Sequence, residues 1–475
     1  MKIELNIQSE EFLYETQILI NAFLAEWKGN EENAEWNEKT LSICIEEGNI
    51  KVCCGNICFM GVPEKSEKKY VKAEMKRLVY KTLKELTKKE LPWGALTGIR
   101  PVKLAMGMIE SSQEVSDEAV CRYLKEKYLV SDKKAALATS IARKEQELLK
   151  SIDYKNGYSL YIGIPFCPTT CLYCSFTSYP VKAYQKKTEP YLKALLKEVE
   201  YTAKEFCHKK LNSIYFGGGT PTTLEADQLD RLLLAVRESF DLTDCQEFTV
   251  EAGRPDSITE EKLQILKKHG VTRISINPQT MNQKTLDLIG RYHTVEQVRE
   301  AFWLAREIGF DNINMDFIVG LPQETIEDVE YSMQEAEKLN PDSLTIHSLA
   351  IKRAARLNIE KEQYKGLTMK NNMEIMELCE RYAGKMGMEP YYLYRQKNIA
   401  GNMENVGYAR KAGIYNILIM EEKQTIVALG AGSISKRVYP DGRIERCENV
   451  KDVSQYIDRI EEMIERKRVL FHDIV

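Results

Sequence analysis

The chain has 475 residues, 43% hydrophobic and 29% charged, with a formal net charge of −4, and that length predicts at least two domains. The slight negative balance gives no electrostatic reason to expect nucleic acid, and no apolar run approaches the roughly 18 residues needed to span a bilayer. The opening MKIELNIQSEEF lacks a basic-then-apolar signal pattern, so a cytoplasmic protein is expected.

The first 157 residues have a texture of their own. LSICIEEGNIKVCCGNICFMGV (41–62) alternates and breaks at Gly48 and Gly55, which predicts short strands with turns. EKKYVKAEMKRLVYKTLKELTKKE (67–90) carries apolar residues at helical spacing. LPWGALTGIRPVKLAMGMI (91–109) breaks at Pro92 and Gly94, then starts a helix near Pro101. Helical stretches near 115–128 and 132–151 lead to Asn156-Gly157, the expected end of an N-terminal α+β domain (1–157).

From residue 158 strand and helix alternate. β-rich runs appear at SLYIGIPF (159–166), SIYFGGG (213–219), EFTVEAG (247–253), RISINPQT (273–280), NINMDFIVGL (312–321) and SLTIHSLAI (343–351). Amphipathic stretches such as EPYLKALLKEVEYTAKEF and TIEDVEYSMQEAEKL separate them. Six βα units imply an α/β domain (158–388) with a parallel sheet under helices; a curved partial barrel and an open doubly wound sheet both fit. After a helix near 368–387, a C-terminal region (389–475) reads as mixed. It has strands at YNILIM and TIVALGAG and a final helix from about 451 to 467.

CPTTCLYC places Cys167, Cys171 and Cys174 directly after the first of these strands. An iron–sulfur cluster needs several thiolates converging on one small cube, so short spacings in a loop suit it. Three ligands leave one iron open to substrate or cofactor. A tetrahedral zinc site wants a fourth ligand, and residues 175–190 contain neither Cys nor His; a zinc or redox site completed from elsewhere is the other reading. Cys53, Cys54 and Cys58 are read as packing residues, because neighbours on a strand point to opposite faces. Gly217-Gly218-Gly219-Thr220-Pro221 follows the second strand, where consecutive glycines let backbone approach a ligand. Glu251, Gln279, Arg291 and Asp316 lie at or near the following strand ends and offer acceptors for hydroxyls or ammonium and a fork for carboxylate.

With the strand and cluster motif Tyr161-Ile162-Gly163-Ile164-Pro165-Phe166-Cys167, the sequence resembles the radical SAM superfamily and, within it, the oxygen-independent coproporphyrinogen III oxidase family. The segment LPWGALTGIRPVK resembles the HemZ-type branch. The resemblance implies a partial (β/α)6 barrel and, as cofactors, S-adenosylmethionine (SAM) with a [4Fe–4S] cluster on Cys167, Cys171 and Cys174. It also implies that Tyr161, Tyr173, Gly218, Gly219, Thr220, Glu251, Gln279, Arg291, Asp316 and Ala350 contact one or two SAM molecules. The implied partners are a tetrapyrrole substrate and a small electron donor such as a flavodoxin or ferredoxin. The implied reaction, in coproporphyrinogen III dehydrogenases, turns two propionates into vinyl groups; the radical comes from SAM, so no side-chain base or nucleophile is required.

Four positions depart from the family pattern. Phe176 stands where proven oxidases commonly carry a further cysteine, and Gly163 replaces a histidine. In GNMENVGYARKAG, Glu404 and Ala409 replace the histidine and tryptophan of the His-Asn-x-x-Tyr-Trp motif of haem chaperones, while Asn405 and Tyr408 remain. Haem binding or trafficking, and radical chemistry on another tetrapyrrole, are therefore the alternatives to coproporphyrinogen decarboxylation.

Overall fold

The computed structural model describes residues 3–472 apart from 8–9, 25–38, 47, 99, 112–113, 361, 365 and 397–398. The chain divides into two compact units. One comprises Met1–Arg143, Asn371–Met376 and Leu393–Asn405; the other comprises Lys144–Lys370, Glu377–Tyr392 and Val406–Val475.

In the first unit the alternating stretch after residue 38 forms three strands. β1 (Ile3–Ile7) runs parallel to β2 (Lys39–Glu46), and β3 (Asn49–Cys54) and β4 (Ile57–Gly61) follow antiparallel, in the order β1-β2-β3-β4. Gly55, at φ +58, opens the two-residue turn between β3 and β4, a backbone that glycine takes without penalty. The helix Lys68–Thr87 buries Met75, Leu78, Val79 and Leu83 in the same core as Leu41, Ile43 and Val52. Cys53 and Cys58 face each other across the hairpin and are disulfide-bonded, which corrects their reading as packing residues. The partner of Cys53 lies across the turn, not beside it in sequence. Cys54 points to the core as expected, 2% exposed.

The LPWG motif has a structural task. Trp93 is fully buried, its indole N–H donating to the Glu404 carboxylate at 2.7 Å. The Lys134 ammonium meets the other oxygen of the same carboxylate. Gly94 sits at φ +54 where an added Cβ would stand 2.2 Å from the Leu129 carbonyl oxygen, so no side chain fits.

The second unit holds β5 (Tyr158–Ile164), β6 (Phe166–Cys167), β7 (Tyr179–Pro180), β8 (Leu211–Gly218), β9 (Glu247–Gly253), β10 (Arg273–Ile276), β11 (Ile313–Val319) and β12 (Ser343–Ser348). The chain goes on to β13 (Glu389–Tyr394) and β14 (Asn405–Ala409), of which Leu393, Tyr394 and Asn405 fall in the first unit, then β15 (Thr425–Leu429), β16 (Ile434–Val438) and β17 (Ile444–Glu448). The large sheet has the order β13-β14-β12-β11-β10-β9-β8-β5-β15-β16-β17, and β5 to β12 pair in parallel. This is the partial (β/α)6 barrel expected, open along its edge, with a C-terminal α+β extension continuing the sheet on both sides.

These strands alternate over most of their length. Leu160, Ile162, Ile214, Phe216, Val250, Ile274, Met315 and Leu344 are wholly buried on the outer, helix-facing side. The other parity is polar: Ser159, Tyr161, Ser213, Tyr215, Thr249, Glu251, Ser275, Asn314, Asp316, Thr345 and His347. Buried polar groups are expensive unless hydrogen-bonded, so this inner face is a lumen lined for polar ligands and not an ordinary core.

Two C-terminal expectations are corrected. YNILIM is not a strand but part of the helix Ile414–Glu421, which buries Tyr415, Ile417, Leu418 and Glu421. Its almost uniformly apolar sequence carries no period to separate helix from strand. The final helix is two, Val453–Asp458 and Ile460–Phe471, broken at Arg459. Among the described residues no helix is long and apolar enough to cross a membrane.

Candidate functional site

The cysteine loop is closed at its base by a small ladder: Phe166 pairs with Tyr179 and Cys167 with Pro180, and the Tyr179 N–H donates to the Pro165 carbonyl at 2.8 Å. Its crown is tied to other loops. The Leu172 N–H donates to Ile289 O at 2.9 Å, Thr169 Oγ1 to Gly290 O at 3.0 Å, and the Leu357 N–H to Leu172 O at 3.0 Å. Arg254, itself forked onto Asp256, reaches Thr169 Oγ1 at 2.5 Å. The protein's own hydrogen bonds therefore tie the loop to its neighbours.

The three thiols lie within electrostatic reach of one another. Burial pushes Cys167 up to about 12; Thr220 draws it back, while Cys171 and Cys174 add to the rise. A thiolate here needs a compensating positive centre, which a metal supplies. Among the described residues no three Cys, His, Asp or Glu side chains converge closely enough to hold a single ion.

The glycine run is tied to the neighbouring strand. Gly219 donates to Ile164 O and Thr220 to Phe166 O, both at 2.7 Å, so these amides lock β8 onto the strand before the cluster loop. A Cβ on Gly219 would lie 2.5 Å from Phe166 O. Close backbone approach is required here, between strands. Gly218, at φ +101, faces the Tyr161 hydroxyl, and Thr220 Oγ1 approaches Cys167 Sγ at 3.6 Å.

The remaining expected site residues gather in two groups. In the lumen, Glu251 accepts the Tyr215 hydroxyl and lies within electrostatic reach of Asp316 and His347. Burial raises Glu251 to about 7 despite the tyrosine. Burial also pushes Asp316 upward, but His347, Asn314 and Thr345 outweigh it and hold that carboxyl below its ordinary range. Gln279, at φ +69, exchanges backbone hydrogen bonds with β11, its N–H on Asp316 O at 2.9 Å. Beneath the cluster loop, buried Arg291 donates to Asn277 O at 2.5 Å and Tyr173 Oη at 3.4 Å, and approaches Cys171 Sγ at 3.9 Å. Ala350 is joined to them only by its place just past β12.

Several groups were not singled out in advance. Tyr215 stacks on Tyr415 with ring centroids 4.5 Å apart and on Tyr161 at 6.2 Å, filling the lumen below Glu251. Tyr215 shares the parity of Tyr161 one strand away, a signal the alternation offers; Tyr415 comes from the C-terminal helix and has no such signal. Beside Arg291, the Arg291 Nε, the Asn277 Oδ1 and both ring nitrogens of His293 are buried without a hydrogen-bond partner. Burial, then Arg291 and Arg254, push His293 down to about 3, so it is neutral, with one N–H to give and one nitrogen to accept. Orphaned donors and acceptors next to the cysteines fit a polar, carboxylate-bearing ligand.

A cysteine loop over a polar partial barrel has relatives among known proteins. The Radical SAM superfamily profile matches residues 161–336. The oxygen-independent coproporphyrinogen-III oxidase-like protein HemZ of Bacillus subtilis is 42% identical over 411 residues, covering 85% of this chain and 82% of that protein. The chain belongs to the radical SAM superfamily, in its HemZ-type branch. This radical SAM protein is also 33% identical over 314 residues to the heme chaperone HemW of B. subtilis, covering 64% of the chain and 76% of HemW. The Escherichia coli coproporphyrinogen III oxidase HemN, described as a radical SAM enzyme, superposes with a TM-score of 0.53 at 23% identity, over 67% of this chain and 73% of HemN. As a radical SAM protein, the chain uses a [4Fe–4S] cluster and SAM.

Proposed function

We propose that this radical SAM protein catalyses the oxygen-independent oxidative decarboxylation of coproporphyrinogen III to protoporphyrinogen IX in the cytoplasm, drawing electrons from a flavodoxin or ferredoxin. Cys167, Cys171 and Cys174 hold the cluster. Tyr161, Gly218 and Glu251 face one SAM across the lumen, with Ala350 at its edge. Tyr173, Gly219, Thr220, Gln279, Arg291 and Asp316 serve the SAM-binding surface beside the cysteine loop. When bound, cluster and SAM supply one-electron chemistry able to remove a hydrogen atom from an unactivated carbon. The protein's part is positioning: Arg291 offers its unpartnered Nε–H to a carboxylate, Glu251 and Asp316 offer acceptors, and the stacked tyrosines exclude water below them.

The observation that carries this reading is the fixed cysteine loop set over orphaned donors and a polar lumen. The haem-trafficking alternative loses support at Glu404. That side chain, in the place of the chaperone motif's histidine, is wholly buried and committed to Trp93 and Lys134. The deciding experiment is anaerobic: reconstituted protein, SAM, reductant and coproporphyrinogen III, with deoxyadenosine and porphyrins quantified. Decarboxylated porphyrin in step with deoxyadenosine is expected. Deoxyadenosine without it refutes the substrate and leaves the radical assignment standing.

Glu251 gives a pH test. A carboxyl raised to about 7 is half protonated near neutrality, and a cationic ligand favours its ionised form. SAM affinity should therefore fall as pH drops below 7, by up to about tenfold per unit. The sign for stability is opposite: a raised carboxyl favours the folded state below its unfolded value and loses that contribution as pH rises toward 7. Tyr215→Phe removes the one donor that lowers this carboxyl. SAM affinity at pH 7 should drop by roughly tenfold and recover by pH 9, as read by equilibrium dialysis.

A further inference from the structure

Three large apolar side chains stand exposed around the cysteine loop. Phe176, two residues past the third cysteine, is 69% exposed; Tyr292, beside Arg291, is 71% exposed; and Ile359 is 67% exposed. The three belong to three segments that the structure ties together: the cysteine loop, the 289–292 turn that accepts from Thr169 and Leu172, and the short helix Arg356–Ile359 whose Leu357 N–H meets Leu172 O. Large apolar side chains standing out on bonded, neighbouring loops mark a binding surface more than scattered exposure does.

Its charge is unlike the whole. The chain carries a net −4, yet the described residues of 351–370 include Lys352, Arg353, Arg356 and Lys370, with Arg356 paired to Glu360. Residues 181–187, which leave the cysteine loop on its other side, hold three lysines and no acid. Lys352 and Arg353 are exposed, and the Lys352 ammonium stands 5.6 Å from the Phe176 ring centroid. Apolar side chains with a cationic fringe, set on the loop that carries the cluster ligands, complement an acidic protein that must come close to hand over one electron.

We propose that this face, centred on Phe176, Tyr292, Ile359, Lys352 and Arg353, docks a small acidic one-electron carrier protein bearing a flavin or an iron–sulfur centre. The inference rests on the cluster assignment made above, and not on the identity of the tetrapyrrole. Steering by the cations speeds encounter, and the apolar centre holds the carrier over the loop.

The test is reduction of the reconstituted cluster in stopped flow, by flavodoxin hydroquinone and separately by dithionite. The proteins are the wild type, a Lys352→Glu/Arg353→Glu variant and an Ile359→Ser variant. The charge reversal should slow flavodoxin-driven reduction by roughly tenfold or more at low salt and abolish its salt dependence. Ile359→Ser should slow it while the salt dependence persists. Reduction by dithionite, read at high salt where the charge of that anion is screened, should be unchanged in both, which also shows that the cluster is intact. Equal rates with flavodoxin across all three proteins would overturn the proposal, as would equal losses with both reductants. A raised KM for tetrapyrrole in dithionite-driven turnover, with flavodoxin reduction unaffected, would assign the cations to substrate and overturn it too. Failure of coproporphyrinogen decarboxylation leaves these rates as they are, so the two readings fail separately.

Discussion

Cys171→Ala, reconstituted anaerobically, is expected to retain almost no iron–sulfur cluster and to cleave SAM at the background rate. Only three cysteines line the loop, and the removal of one leaves two ligands for a cube whose fourth iron is already without a thiolate. The fold should survive, since backbone bonds at Pro165, Leu172 and Tyr179 hold the loop without the thiol. Iron and sulfide analysis, visible absorbance and the reduced-state EPR signal read the loss, and circular dichroism checks the fold. Cys167→Ala and Cys174→Ala should behave alike. Thr220→Val sets the scale beneath them. It removes a hydroxyl 3.6 Å from Cys167 Sγ but no ligand, so cluster affinity or turnover should fall by about 10- to 100-fold instead of vanishing. A full, EPR-active cluster in Cys171→Ala would refute the ligand assignment.

What the sequence disclosed depended on whether the cause was local. The barrel strands were legible because their alternation is local, and the cluster loop because its three thiols sit within eight residues. The hydrogen bond from Tyr215 to Glu251 crosses from one strand to the next, and the Tyr415 ring arrives from a helix some 200 residues on, so spacing reports neither. The glycine run is legible in the sequence, but the Gly219 and Thr220 amides are spent on the cysteine-bearing segment. Only the register of β5 with β8 reveals that. Glu404 was seen as a substitution; that Trp93 and Lys134 bury it required the fold. YNILIM misled because a buried eight-residue helix has too few polar positions to display its period.

Glu198 shows the same divide at its largest energetic scale. In sequence it is one acid in KEVEYTAKE, a surface-like pattern on the helix Val181–Glu205. In the fold it is wholly buried. Its oxygens accept from Gly430 N at 2.8 Å, Tyr456 Oη at 2.6 Å, Asn449 Nδ2 at 2.8 Å and the Lys467 ammonium. Lys467 is itself 1% exposed, with Asn449 Oδ1 at 2.8 Å as its other partner. The network lies behind the cluster strand. Tyr191 donates to Gly163 O at 2.6 Å and accepts from the Ala431 N–H at 3.1 Å, and a Cβ on Gly430 would lie 2.4 Å from Gly163 O. Glu198→Ala should therefore destabilise the protein by about 3–5 kcal/mol, because it strands a buried ammonium. Lys467→Met should cost less, since three neutral donors still serve the carboxylate. Glu198→Leu/Lys467→Met, which removes both charges, should recover much of the loss made by Glu198→Ala. Urea unfolding followed by circular dichroism reads all three, and cluster retention should fall with stability because the strand leading to Cys167 rests on this network. If the double variant is no more stable than Glu198→Ala, the deficit comes from lost packing and not from an unpaired charge.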